Sequence, residues 1–108
     1  VYTELLASSS LILPAVPEDR VHSWQSYVVR FRTTAARNAA AERLAAADIE
    51  CRPGTHAAHR LRWQAGHALR TDCCPCAALC EDTSLALPLV HGMAREDQAR
   101  VAALLCQD

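Results

Sequence analysis

Between Trp24 and Arg32 the chain is rich in β-branched and aromatic residues, and two threonines later, from Ala35 to Ala47, it turns to strong helix formers. A strand that hands directly to a helix confines the fold to arrangements of sheet covered by helix, because the strand's apolar face needs a neighbour and the helix is the nearest one. Along the strand, Trp24, Ser26, Val28, Arg30 and Arg32 share one face and Gln25, Tyr27, Val29 and Phe31 the other. Along the helix, Ala36, Ala40, Leu44 and Ala47 form a stripe, and Thr33 or Thr34 supplies the N-cap oxygen.

The other elements arrange themselves around this pair. Tyr2, Leu5 and Leu6 are spaced as the last turns of a helix that docks on the domain, and the prolines at 14 and 17 make residues 11 to 19 an extended connector. Ile49 to Arg52 reads as a second short strand, closed by the Pro53-Gly54 turn signal. Residues 55 to 74 lack a clean period and read as a long, partly irregular loop. Pro75 opens a short helix to about Glu81, Leu85 to Leu87 form a third strand stopped by Pro88, and a last helix runs from Arg95 to Leu105. Glu96 and Asp97 complement the positive end of that helix, and Val101, Leu104 and Leu105 supply its buried face. The expected fold is a small α/β sandwich of about three strands and three to four helices. At 108 residues the chain fits one domain, 1–108, with 1–20 as lead-in helix and linker and 21–108 as the body. Val1 in place of Met suggests a beginning cut from something longer.

Eleven arginines and twelve acidic residues nearly balance, and the arginines do not cluster, which argues against a nucleic-acid partner. No apolar run approaches the ~20 residues that cross a bilayer, and the N-terminus has no signal-peptide pattern, so neither membrane nor secretion is expected and the cytoplasm is. In that setting the six cysteines are read as reduced thiols.

Three blocks in order, Ser23-Trp24-Gln25-Ser26-Tyr27-Val28-Val29-Arg30-Phe31, the helix with Asp48-Ile49-Glu50, and Ser84-Leu85-Ala86-Leu87-Pro88-Leu89 with Glu96-Asp97-Gln98-Ala99-Arg100-Val101, resemble the C-terminal small domain of the DegT/DnrJ/EryC1/StrS sugar aminotransferases. The resemblance runs from about Val21 to the C-terminus. It implies the fold of the C-terminal domain of a fold-type I aminotransferase. It also implies a parent enzyme that uses pyridoxal phosphate on nucleotide-linked sugars, usually as a dimer, with this domain packed beside a large one. Asp48 stands where the family commonly has glycine, and Ala94 where Ser or Thr would cap the last helix. Aspartate tolerates the left-handed turn better than most residues, whereas the missing cap costs about 1 kcal/mol.

By the same resemblance Gly54, Thr55, His56 and His59 lie on a loop that approaches substrate, where histidine can hydrogen-bond phosphate or hydroxyl groups. The residues alone read better as a pair of exposed surface-loop histidines, since loops are exposed by default. The family's cofactor sits as a Schiff base on a lysine, and this chain has none, so no catalytic residue or cofactor site is expected within it. A partner is then expected as a large domain or a second copy, the latter through apolar surface left uncovered. Cys73, Cys74, Cys76 and Cys80 with His67 supply soft ligands for zinc or an iron–sulfur cluster, with Cys73, Cys76, Cys80 and His67 as the candidate set, but with one C-x-x-C knuckle instead of two, buried or incidental thiols are the better reading. No nucleophile signature surrounds any cysteine, which disfavours a Cys-His hydrolase. Trp24, Tyr27 and Trp63 read as core or interface anchors, and Arg30 and Arg32 as a solvated or ion-paired strand face.

Overall fold

The computed structural model of the chain describes residues 1–61 and 73–107. Within them, α1 spans Tyr2–Leu5, β1 Tyr27–Arg30, α2 Thr34–Ala46, β2 Arg52–Pro53, α3 Pro75–Thr83, β3 Ser84–Leu87 and α4 Arg95–Leu105, with a single 3-10 turn at Ala58–Arg60. The three strands form one antiparallel sheet in the order β1-β3-β2. This is the expected small α/β fold, with three strands and four helices.

Strand β3 lies in the centre because its sequence can be buried on both sides. Ser84, Leu85 and Leu87 are all buried, and Ser84 satisfies its hydroxyl by donating to the Cys80 carbonyl one turn back in α3. Pro53 sits on the edge strand β2, where a residue without an amide donor breaks no ladder. The other edge, β1, is covered by the connector: Ile12 and Arg30 exchange backbone bonds of 2.8 and 3.0 Å. That contact turns an open strand edge into a paired one.

Two strand boundaries differ from expectation. Trp24 has φ 50, a left-handed conformation that cannot continue a strand, so β1 begins only at Tyr27. Ile49 is diverted into the C-terminal cap of α2, so β2 is reduced to Arg52 and Pro53, with Pro53 inside the strand and not in a turn beyond it. The cap has the Schellman pattern: the Ile49 amide donates to the Leu44 carbonyl at 2.9 Å, and the Asp48 amide to that of Ala45 at 3.0 Å. Asp48 takes φ 59 at the position the motif requires to be left-handed.

The faces of β1 sort as expected. Tyr27, Val29 and Phe31 enter the core with Leu85 and Leu87, where they meet Tyr2 and Leu6, Ala40 and Leu44 of α2, and Val101, Ala102 and Leu105 of α4. Ala36 is exposed instead of joining the α2 stripe, and Leu104 only flanks the cluster. Two arginines fasten the helix pair: Arg43 of α2 donates to the Leu104 carbonyl at the end of α4, and Arg100 of α4 donates to the Ala47 carbonyl at the end of α2. Each helix thereby places a cation on the other's negative end. Among the described residues no helix is long and apolar enough to cross a membrane.

Candidate functional site

The loop that follows β2 is anchored at both of its described ends. At its start, the Gly54 amide donates to the Ser84 carbonyl at 3.3 Å, extending the ladder beyond Pro53. A Cβ at Gly54 would stand 2.5 Å from both Ser84 Oγ and Val28 Cγ1, so only a residue without a side chain lets the loop leave the sheet this closely. At its end, Arg60 forms a bidentate pair with Asp82 of α3, at 2.7 and 3.1 Å, while one of the same nitrogens reaches Glu81 at 3.0 Å. The planar guanidinium matches the carboxylate fork, a geometry lysine would not reproduce.

Glu81 is the hub of this attachment. Besides Arg60 it accepts a backbone bond from Ala57 and stands 3.5 Å from His56 Nδ1. Partial burial pushes the Glu81 carboxyl up, but the bonds from Arg60, Ala57 and His56 outweigh it and hold the group below its ordinary range. Asp82 is likewise held low, chiefly by the Arg60 hydrogen bonds against a smaller effect of desolvation. Arg60 is raised correspondingly by the same two carboxylates. Arg37 of α2 steadies the acidic turn from behind by donating to the Asp82 carbonyl at 3.0 Å.

The four residues expected on the loop therefore divide. Gly54 makes the close approach to β3, and Thr55 is exposed. The His56 side chain is 68% exposed beside Glu81. His59 is 8% exposed, and its Nε2 is buried with no hydrogen-bond partner among the described residues. A buried ring nitrogen without a partner costs free energy in proportion to its lost hydration, which distinguishes His59 from an ordinary loop histidine. Arg60, Glu81 and Asp82 were not singled out from the sequence. The signal available was an adjacent pair of carboxylates ending α3 and an arginine following His59.

The cysteine set is only partly described. Cys73, Cys74 and Cys76 are exposed at the start of α3 and Cys80 is half-buried on it. His67, which would complete the zinc donor set, and Trp63 lie outside the described residues. Among those described, no group of three or more histidine, cysteine or acidic side chains is placed to hold a metal ion. Trp24 is an exposed platform more than a core anchor: it stacks on His22 at 4.2 Å and on Tyr27 at 5.4 Å and remains 37% exposed. Tyr27 alone of the two reaches the core.

Residues 1–106 match the family model described as the DegT/DnrJ/EryC1/StrS aminotransferase family, a span that takes in the lead-in helix and connector as well as the blocks from Val21 onward. Among curated proteins, none matches the chain by sequence. Among solved structures, a protein described as a sugar aminotransferase, Spr1654 from Streptococcus pneumoniae in its PMP-form, superposes with a TM-score of 0.86 at 19% identity, covering 97% of this chain and 27% of that one. The same protein is known in a PLP-form with the same TM-score. The aminotransferase TlmJ from Streptoalloteichus hindustanus superposes at 0.80 with 24% identity, covering 97% of this chain and 28% of its own. DesV from S. venezuelae, in complex with a ketimine intermediate, gives 0.80 and 24% over 96% and 28%. These likenesses establish the fold, and the chain spans little more than a quarter of the length of each.

Proposed function

This chain belongs to the DegT/DnrJ/EryC1/StrS aminotransferase family, and we propose that it serves as the small C-terminal domain of a pyridoxal-phosphate enzyme that transfers an amino group to a nucleotide-linked sugar, without catalysing the reaction by itself. The observation that carries this reading is the combination of a family match over nearly the whole chain with coverage of only 27% of a structural neighbour.

Pyridoxal phosphate, when bound, supplies the electron sink for amino transfer. The residues present here do not fit it as a covalent host. A lysine amine is the group that holds this cofactor, and every one of the eleven basic residues counted as lysine or arginine is arginine. Guanidinium stays protonated and cannot take the place of a neutral amine. What this chain contributes in our reading is a wall of the substrate site: His56 and Thr55 present donors and acceptors on the exposed side of the loop, while Arg60, Glu81 and Asp82 hold that loop in place. His59 supplies the orphaned nitrogen to the same region, and Gly54 sets where the loop leaves the sheet. We infer the cytoplasm as the compartment, consistent with Cys51, Cys74, Cys76, Cys80 and Cys106 all standing outside disulfides.

Borohydride reduction after incubation with pyridoxal phosphate tests the non-catalytic role. No reduced adduct is expected on any side chain of residues 1–108; a stoichiometric side-chain adduct within them overturns the reading.

A second reading, a module that associates with itself, is favoured by one observation: Val90 and Leu79 are 67% and 48% exposed, leaving large apolar side chains in solvent alongside Trp24. Sedimentation equilibrium decides it, since a dimer that dissociates on Val90→Asp or Leu79→Asp supports self-association and a monomer at all concentrations removes it.

A further inference from the structure

Cys73 and Cys74 present their sulfurs 3.3 Å apart, both on exposed residues. Cys74 occupies the N-cap of α3, yet its side chain makes no capping bond, and Pro75 follows at the first helical position. The two sulfurs thus stand side by side at the start of α3, and the Cys74 thiol is not engaged in capping that helix. We infer that this pair is a dithiol site for a soft trivalent centre, of the class of arsenoxides and their antimony analogues.

Geometry selects the ligand. Two bonds to sulfur of about 2.3 Å would span the observed separation at an angle of roughly 90°, whereas a tetrahedral ion such as zinc would need the sulfurs about 3.8 Å apart. A pyramidal trivalent centre with a lone pair prefers the narrower angle. Direct oxidation is the poorer alternative, because neighbouring Cα atoms are about 3.8 Å apart while disulfides ordinarily bridge about 4.4–6.8 Å, so a bond between adjacent cysteines is strained. Inserting one atom between the sulfurs enlarges the ring and relieves that strain.

The capture step is a condensation. An organic arsenoxide, R–As=O, loses its oxygen as water, the two S–H protons leave in that water, and two As–S bonds form. Arsenic stays trivalent and no oxidant is consumed.

The test uses the reduced full chain and phenylarsine oxide as the probe, read by intact-mass spectrometry. One phenylarsenic group per chain is expected, resistant to a large excess of 2-mercaptoethanol and removed by dimercaptopropanol, as chelation by two thiols requires. Fragment ions of the wild-type adduct should place the arsenic N-terminal to Pro75. Cys73→Ser and Cys74→Ser should each lose the monothiol-resistant adduct, and Cys76→Ser and Cys80→Ser should keep it. Arsenic located beyond Pro75, retention in either of the first two variants, or loss in Cys76→Ser would overturn the assignment, the last by pointing to Cys76 and Cys80 one turn apart on α3.

Discussion

A Cβ on Gly54 would stand 2.5 Å from the Ser84 hydroxyl oxygen, closer than real side chains come. Val28 Cγ1 closes the other side at the same distance, so the central strand and β1 both press on the point where the loop departs. Gly54→Ala is therefore overpacked from two directions, and relief requires the ladder bond from the Gly54 amide to lengthen. A loss of about 1–3 kcal/mol is expected. Urea unfolding checks it through a lowered midpoint at unchanged slope, and an unchanged midpoint would show that the loop can leave the sheet by another path.

The attachment of the loop to α3 should be sensitive to acid. Glu81 and Asp82 are both depressed in the folded state, so their contribution is present above the ordinary carboxylate range of about 4 and is lost as pH falls through their lower folded values. Amide exchange at Ala57 to Leu61 reads this locally. Protection should fall with acid in the wild type, and Arg60→Ala should show weak protection already at neutral pH, while α2 and α4 stay protected. Arg60→Lys should recover little, because an ammonium cannot grip Asp82 with two parallel bonds. Equal protection in Arg60→Ala and wild type would mean that the Ala57 backbone bond to Glu81 holds the loop without the arginine.

Much of this architecture was legible because local and long-range preferences agree. The alternation of Tyr27, Val29 and Phe31 marks the core face of β1, and the alanine-rich run after Thr33 marks α2, with Thr33 Oγ1 accepting from the Ala36 amide as an N-cap should. The misjudged strand ends are places where a backbone turn overrides side-chain character: Trp24 is a good strand former held left-handed by its amide bond to His22 Nδ1, and Ile49 is a good strand former consumed by a helix cap. The loop anchor was not legible because it joins Arg60 to carboxylates more than twenty residues away, and sequence pattern carries no information on which charges meet. The burial of His59 was hidden for the same reason, since loops are exposed by default.

Asp48 tests how far the turn after α2 tolerates a side chain. Its φ of 59 is a conformation that glycine adopts freely and aspartate only at some cost. Asp48→Gly should therefore stabilise the chain by about 0.5–1 kcal/mol, the relief of the turn being partly offset by the greater freedom of glycine when unfolded. Asp48→Val should destabilise it, as a branched side chain fits this region worst. A stability loss in Asp48→Gly would mean that the carboxylate makes a contribution that its backbone conformation does not reveal.

The last helix begins without side-chain help. Ala94 has φ −64 and ψ 150, the extended conformation of an N-cap, yet offers no oxygen to the amides of α4. Ala94→Ser supplies one without altering the backbone and should add about 1 kcal/mol. Thermal unfolding checks it, and an unchanged midpoint would imply that Glu96 and Asp97 already neutralise the helix end.

Tyr2 ties the lead-in helix to the segment after β3, and its ionisation should release that tie. Its hydroxyl donates to the Pro88 carbonyl at 2.9 Å and its ring lies against Tyr27, with centroids 5.2 Å apart. Burial first, and the charge of Asp97 second, push its pKa up from the ordinary 10 to about 12. A group raised on folding contributes fully below its unfolded pKa and loses that contribution as pH climbs through the folded one, so the window here runs from about pH 10 to 12. Tyr2→Phe keeps the ring and removes the proton, which should cost about 1 kcal/mol at neutral pH. Urea titrations of both chains from pH 8 upward separate this group from the others, because the Tyr2 hydroxyl is the one group that differs between the two chains. The gap between wild type and variant should hold to about pH 10 and then narrow. If the two stability curves instead stayed parallel to high pH, the Tyr2 phenol would not be titrating in the core, and its bond to Pro88 would not be what fastens the N-terminal helix.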